Sequence, residues 1–121
     1  MKPLALMLWG AAGALVLGGT LAAQAPAKGD PAKGKAVFDY WCATCHARGP
    51  DNPGTQSLEV KYRGQGIPAA LEDRTDLSPP VTALFVRKGV ALMPPFRKTE
   101  ISDAELRQLA AYLAPGGRAA R

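Results

Sequence analysis

The sequence predicts an all-α domain of three or more helices. Three observations carry this expectation. Apolar and small residues recur with a helical period at Gly34, Val37, Phe38, Trp41, Cys42 and Cys45. A second stripe, Leu106, Leu109, Ala110 and Leu113, follows the capping-box pattern Ser102-x-x-Glu105. No segment shows the two-residue alternation of a strand, and no internal repeat is present.

Each element has a local reason. Pro26 to Asp30 is a short lead-in arm. Asp30 suits an N-cap and Pro31 the first helical position, which predicts a first helix over 31–46. Gly34 lies on its apolar face, where the lack of a side chain permits close approach of another helix. From 47 to 77, Gly49, Pro50, Pro53, Gly54, Gly64, Gly66 and Pro68 forbid one long element. A short helix over Thr55 to Tyr62 and a turn or two over Pro68 to Asp73 fit between them. So long an irregular stretch in a small domain implies that it wraps something. Ser78, followed by Pro79 and Pro80, starts a helix over about 80–88, with Val81, Leu84 and Phe85 as its apolar stripe and Gly89 as its stop. Val90 to Phe96 contains Met93-Pro94-Pro95 and is not helical. The last helix, 102–114, has the Ser102/Glu105 box and an Ile101/Leu106 staple, and ends at Pro115-Gly116-Gly117.

A chain of 121 residues is one domain at most, and 47% hydrophobic with 21% charged residues excludes a disordered or fibrous chain. Two cysteines are too few for a disulfide scaffold. A single histidine excludes any site that needs two imidazoles from one chain, which removes most zinc hydrolases and non-haem iron oxygenases. The net charge of +5 comes from scattered residues, and the longest basic runs are the pairs Arg87-Lys88 and Arg97-Lys98. These read as solvated faces, so no nucleic-acid partner is expected.

Lys2, an uncharged stretch from Pro3 to Ala27 and the small residues Thr20 to Ala25 describe a secretory signal peptide over residues 1–23, with cleavage within about 22–25. The stretch is also long enough for an uncleaved anchor. Gly10, Gly13, Gly18, Gly19 and the terminal small residues favour cleavage. Either way the domain over 26–121 is exported, and after cleavage it has no membrane segment. Cleavage removes Met1 and Met7, so Met93 becomes the single methionine, and loss of Lys2 lowers the net charge by one. A core this small is marginal unless something else supplies apolar volume.

Cys42-Ala43-Thr44-Cys45-His46 is C-x-x-C-H, the attachment pattern of c-type haem. Two thiols one helical turn apart can each join a vinyl group of one porphyrin, and the adjacent His46 then supplies a nitrogen to iron. Three other readings exist. A thioredoxin-like pair would sit after a strand. A zinc site lacks an evident fourth ligand. A disulfide within one turn would be strained. Export, the helical pattern and the lone downstream methionine favour haem. Elimination makes Met93 the sixth ligand, because no second histidine exists; a lysine, the terminal amine or water are the alternatives. Thioether ligation favours the ferrous state. A filled sixth position implies electron transfer, so the chain is not an enzyme by itself. Tyr62, Arg63 and Arg74 in the wrapping loop are the expected propionate donors.

These residues resemble class I c-type cytochromes over 31–114. Gly34-x-x-x-Phe38 and Leu109-x-x-Tyr112 match the family's first and last helices. The resemblance implies that these helices cross, in a small cytochrome c fold around one covalently bound haem. Pro53-Gly54-Thr55 is similar to the loop whose proline carbonyl accepts a hydrogen bond from the axial histidine; Pro50 is a second candidate. The segments Ile67 to Leu77, Phe85 to Val90 and Met93 to Ile101 are similar to the small cytochrome subunits of p-cresol methylhydroxylase and eugenol hydroxylase. That similarity implies a periplasmic flavocytochrome. Its flavoprotein dehydrogenase subunit oxidises a 4-alkylphenol, and the cytochrome passes electrons one at a time to a copper protein or another cytochrome. A freely diffusible respiratory carrier and, more remotely, a thiol-disulfide oxidoreductase are the competing functions. The expected docking face is the uncharged set Ala43, Thr44, Ala47, Ala91, Leu92, Pro94 and Pro95, with Arg48, Arg87, Lys88, Arg97 and Lys98 as a basic rim.

Overall fold

Asp30 is extended and its carboxylate accepts a hydrogen bond from the Ala32 N–H at 3.0 Å, so helix α1 (Pro31–Trp41) starts where its cap places it. The computed structural model describes residues 28–118. The expected leader over 1–23 and its expected cleavage site lie outside the described residues.

The single helix expected to His46 is two. Cys42, at φ −116°, donates to the Phe38 carbonyl and closes α1, and a one-turn helix α2 (Ala43–His46) follows. The Cys42 carbonyl accepts from the N–H groups of both Cys45 and His46, at 3.1 and 2.8 Å. Apolar spacing reports which face a residue takes and is blind to a change of φ at one position. Helix α3 (Pro53–Lys61) begins two residues before the expected Thr55, because Pro53 suits a first helical position. A single 3₁₀ turn spans Leu71–Asp73.

Helix α4 (Pro79–Lys88) is preceded by Ser78, whose hydroxyl makes no capping bond. Pro80 at the second helical position has no N–H to offer it. Gly89 follows at φ +67°. A Cβ there would sit 2.8 Å from the Pro95 nitrogen, so glycine lets the next loop lie against the helix end. Helix α5 (Asp103–Leu113) has its full capping box: Ser102 Oγ accepts from the Glu105 N–H at 3.2 Å and Glu105 Oε2 accepts from the Ser102 N–H at 2.7 Å. Ile101 and Leu106, the expected staple, are both in the core cluster.

The core is the crossing of α1 and α5, with α4 laid against α5. At Gly34 a Cβ would collide with the Gln108 carbonyl oxygen and lie 2.7 Å from Tyr112 Cβ. One turn on, the Phe38 and Tyr112 rings meet with centroids 5.8 Å apart. Phe38, Ile101, Leu109 and Tyr112 are fully buried. Gly29, read only as part of the lead-in arm, does the same work as Gly34: a Cβ there would strike the Arg107 carbonyl.

The expected stripe on α4 is corrected. Thr82 and Val86 are buried, while Leu84 and Phe85 are exposed and Val81 is half-buried. The helix carries apolar residues on two sides, and periodicity cannot say which side meets α5. The described residues form helices, turns and one isolated bridge, Val90 with Met93. No described helix is long and apolar enough to cross a membrane.

Replacing Gly34 with leucine should lower stability by about 3 kcal/mol, the upper end of overpacking costs, because the first atom displaced belongs to the α5 backbone. A denaturant midpoint unchanged from wild type would show that the helices do not touch there.

Candidate functional site

Both cysteines are free thiols; Cys42 is half-buried and Cys45 exposed. Burial, reinforced by the neighbouring Cys45, pushes the Cys42 thiol from 9.0 up to about 12. A thiol-disulfide oxidoreductase needs the opposite, a depressed thiolate pKa in an electropositive setting. Among the described residues no three His, Cys, Asp or Glu side chains converge as a metal site, so Cys42, Cys45 and His46 do not form a zinc-like cluster.

His46 has an enclosed side and an open one. Its Nδ1 is buried and meets no hydrogen-bond partner. Gly54 backs the ring: a Cβ there would lie 2.7 Å from Cε1, 2.9 Å from Nδ1 and 2.7 Å from the Cys45 carbonyl. Nε2 is thereby the nitrogen left to reach a ligand. Burial lowers the imidazolium pKa, which keeps the ring neutral and its lone pair available.

The hydrogen bond expected from His46 to Pro53 is absent. The Pro53 carbonyl heads α3 and accepts instead from Ser57 Oγ at 2.8 Å. The competing Pro50 carbonyl accepts from Gln56 Nε2. The Pro53-Gly54-Thr55 loop does back the histidine, through glycine rather than proline. The segment after the ring is pinned from the same loop: Thr55 Oγ1 donates to the Ala47 carbonyl at 2.8 Å, and Asn52 Nδ2 to the Arg48 carbonyl at 3.1 Å.

Met93 closes a tight turn. Val90 and Met93 exchange both backbone hydrogen bonds, at 3.0 and 2.9 Å, and Ala91 at its corner takes φ +51°, a conformation disfavoured for a residue with a Cβ. The turn leaves Leu92 98% exposed and Met93 half-buried against the core. Phe96 then donates its N–H to the Val86 carbonyl at 2.8 Å. Its ring meets Trp41 edge-on, with centroids 5.8 Å apart. Trp41 adjoins Cys42 in the chain, so this aromatic pair joins the two segments that carry the candidate ligands.

Of the three expected propionate donors, two come together. The Arg74 guanidinium lies 4.8 Å over the Tyr62 ring and holds that hydroxyl below its usual pKa range. Arg74 is only 7% exposed, and its Nε–Nη2 edge grips Asp76, with Nε to Oδ1 at 2.8 Å. Arg63 is exposed and makes no hydrogen bond or ion pair with a described residue. Most cations of the expected basic rim are paired with carboxylates. Arg48 is held by Glu72 and Asp73, Arg87 and Lys98 by Asp103, and Arg97 by Glu100. The Arg48 and Arg87 pairs join distant segments and were invisible in the sequence, whereas those of Arg97 and Lys98 are local; Lys88 is the cation of the set with no carboxylate partner among the described residues.

A c-type haem needs two reduced thiols a turn apart, a neutral imidazole with one nitrogen left for iron, and a soft or nitrogenous sixth donor. The residues present fit that group, and the helical fold with this donor set defines a c-type cytochrome domain. Residues 29–113 match the family model described as cytochrome C oxidase, cbb3-type, subunit III. The match covers most of the chain, which belongs to this family of cytochrome c domains and has a haem c electron-transfer role. No curated protein matches it.

In the haem-free protein, Cys45 should be alkylated at least tenfold faster than Cys42 at pH 8, because Cys45 is exposed while burial disfavours the Cys42 thiolate. Peptide mapping of a timed iodoacetamide reaction checks this; equal labelling would contradict the placement of Cys42.

Proposed function

We propose that the chain is an exported, single-haem cytochrome that accepts electrons from a flavoprotein dehydrogenase of the 4-alkylphenol-oxidising type in the periplasm. The carrying observation is the Cys42–His46 turn, with its closed Nδ1 side and its thiols at one edge. Cys42 and Cys45 would hold one haem through thioethers, and His46 and Met93 would supply the protein's two donors to its iron. When bound, the haem supplies a one-electron Fe(III)/Fe(II) couple. His46 would donate through Nε2, since Gly54 closes off its Nδ1 side, and Met93 is presented by a turn whose prolines, Pro94 and Pro95, restrict the backbone that follows. Tyr62 and Arg74 are the propionate-side candidates that the fold keeps together. The leader over 1–23 is cleaved on export, and a copper protein or another cytochrome takes the electrons onward.

The similarity of Ile67 to Leu77, Phe85 to Val90 and Met93 to Ile101 to the cytochrome subunits of p-cresol methylhydroxylase and eugenol hydroxylase supports this partner. The surface around the Met93 turn supports it too. Leu92, Pro94 and Pro95 are exposed and apolar, Thr44 is exposed and uncharged, and Ala43 and Ala47 are half-buried. Because the neighbouring cations are already paired, recognition there rests on apolar contact and depends weakly on salt.

Replacing Met93 with alanine should abolish the far-red sulfur-to-iron band and lower the reduction potential; persistence of both would assign the sixth site to another group. With the flavoprotein and a 4-alkylphenol, two cytochromes should be reduced per substrate oxidised. Leu92→Asp should slow that reduction at every salt concentration without altering the haem spectrum. If the cytochrome is not reduced by the flavoprotein but exchanges electrons with a respiratory oxidase, the chain is a free carrier or an oxidase component instead.

A further inference from the structure

We propose that Glu72 is a positioning residue for His46, acting through Arg48, and that it ties the segment after the histidine to the C-terminal helix. This rests on His46 being an iron ligand. The Tyr112 hydroxyl, on α5, donates to Glu72 Oε1 across 40 residues of sequence. The other oxygen, Oε2, accepts from Arg48 Nη1 at 2.9 Å. Arg48 stands two residues after His46 and fills the rest of its guanidinium fork with Asp73, through Nε at 3.0 Å and Nη2 at 2.7 Å. The Glu72 side chain is only 11% exposed and the Tyr112 residue 1%.

The geometry makes Glu72 a bridge rather than an ornament. A nearly buried carboxylate is tolerated when both oxygens are satisfied, and here each oxygen has a partner on a different part of the fold. One partner is a ring locked in the α1–α5 crossing. The other is the side chain that ends the Cys45-His46-Ala47-Arg48 segment. The Thr55 and Asn52 contacts fix the backbone of that segment against α3 and its lead-in loop alone. The backbone bonds to Cys42 and Ala43 tie the start of the segment to the end of α1, and Glu72 adds a side-chain tie from its far end to α5. Partners beyond the ligand shell orient an axial imidazole, and small losses of that support are felt at the metal.

A purely stabilising role makes a different prediction. Arg48 is 54% exposed, and pairs at such sites contribute little to global stability. A pure charge effect is also distinguishable: removing the Arg48 cation and removing the Glu72 anion would then move the potential in opposite directions.

The test uses holocytochrome carrying Arg48→Ala, Arg48→Lys, Glu72→Gln, Tyr112→Phe and the pair Arg48→Ala/Tyr112→Phe. The readouts are the reduction potential, the hyperfine-shifted His46 ring resonances and the urea midpoint. The proposal expects Arg48→Ala and Glu72→Gln to shift the potential in the same direction and to displace the His46 resonances. Arg48→Ala should do so with little change in midpoint. Lysine should not restore wild-type values, since an ammonium cannot span Glu72 and Asp73 as a fork does. The double variant should move the His46 signals no further than the larger single change, the non-additivity of one connected chain. Unmoved or oppositely shifted potentials, or additive effects, would overturn the proposal. If wild-type His46 shows no hyperfine-shifted resonances, the ligand assignment itself fails, and this inference falls with it.

Discussion

The close crossing of α1 and α5 at Gly34 is the constraint on which the remaining structure depends. A domain of this size has few fully buried side chains, and four of the largest, Phe38, Ile101, Leu109 and Tyr112, gather around that crossing. The absence of a Cβ at Gly34 lets the α1 backbone rest on the Gln108 carbonyl, which brings Phe38 within ring contact of Tyr112. The C-terminal end of α1 carries Trp41 and Cys42, so the crossing also aims the thiol-bearing turn. The same Tyr112 that packs against Phe38 sends its hydroxyl to Glu72. Packing, attachment chemistry and the polar bridge to Arg48 are thus continuous through two side chains.

The two ligand-bearing segments are held by unlike means. The Cys42–His46 turn is clasped by backbone bonds at Cys42, by Gly54 beneath the ring and by Thr55 behind it. The Met93 turn is held by a paired backbone turn at Val90 and by the Phe96 ring against Trp41. It also takes a disfavoured φ at Ala91 and displays Leu92 to solvent. The corner is thus strained and apolar, while the exposed cations nearby, Arg97 and Lys98, pair with the carboxylates of Glu100 and Asp103.

Much of this was legible in the sequence because it is local. The caps at Asp30 and Ser102, the glycine at 34, the stop at Gly89 and the C-x-x-C-H pattern each depend on a few neighbouring residues. The helix break at Cys42 was not legible, since helical spacing carries across it. The buried face of α4 was not either, because Leu84 and Phe85 offer as good a stripe as Thr82 and Val86. Gly54, Glu72 and Arg48 escaped for a third reason: their roles come from contacts between distant segments, and only the fold brings a carboxylate at 72 between a guanidinium at 48 and a phenol at 112. Pro53 was the right loop with the wrong atom, because a proline at a helix start offers its carbonyl to the helix.

The central claim is that Cys42 and Cys45 hold one haem covalently. Intact mass of the purified protein after acid-acetone extraction, read with a pyridine haemochrome spectrum, tests it most directly. The account predicts the mass of the chain plus one haem, retained through extraction, with the spectrum of a haem bearing two thioethers. A haem-free mass with two thiols or a Cys42–Cys45 disulfide, or a haem lost to the extracting solvent, would contradict it.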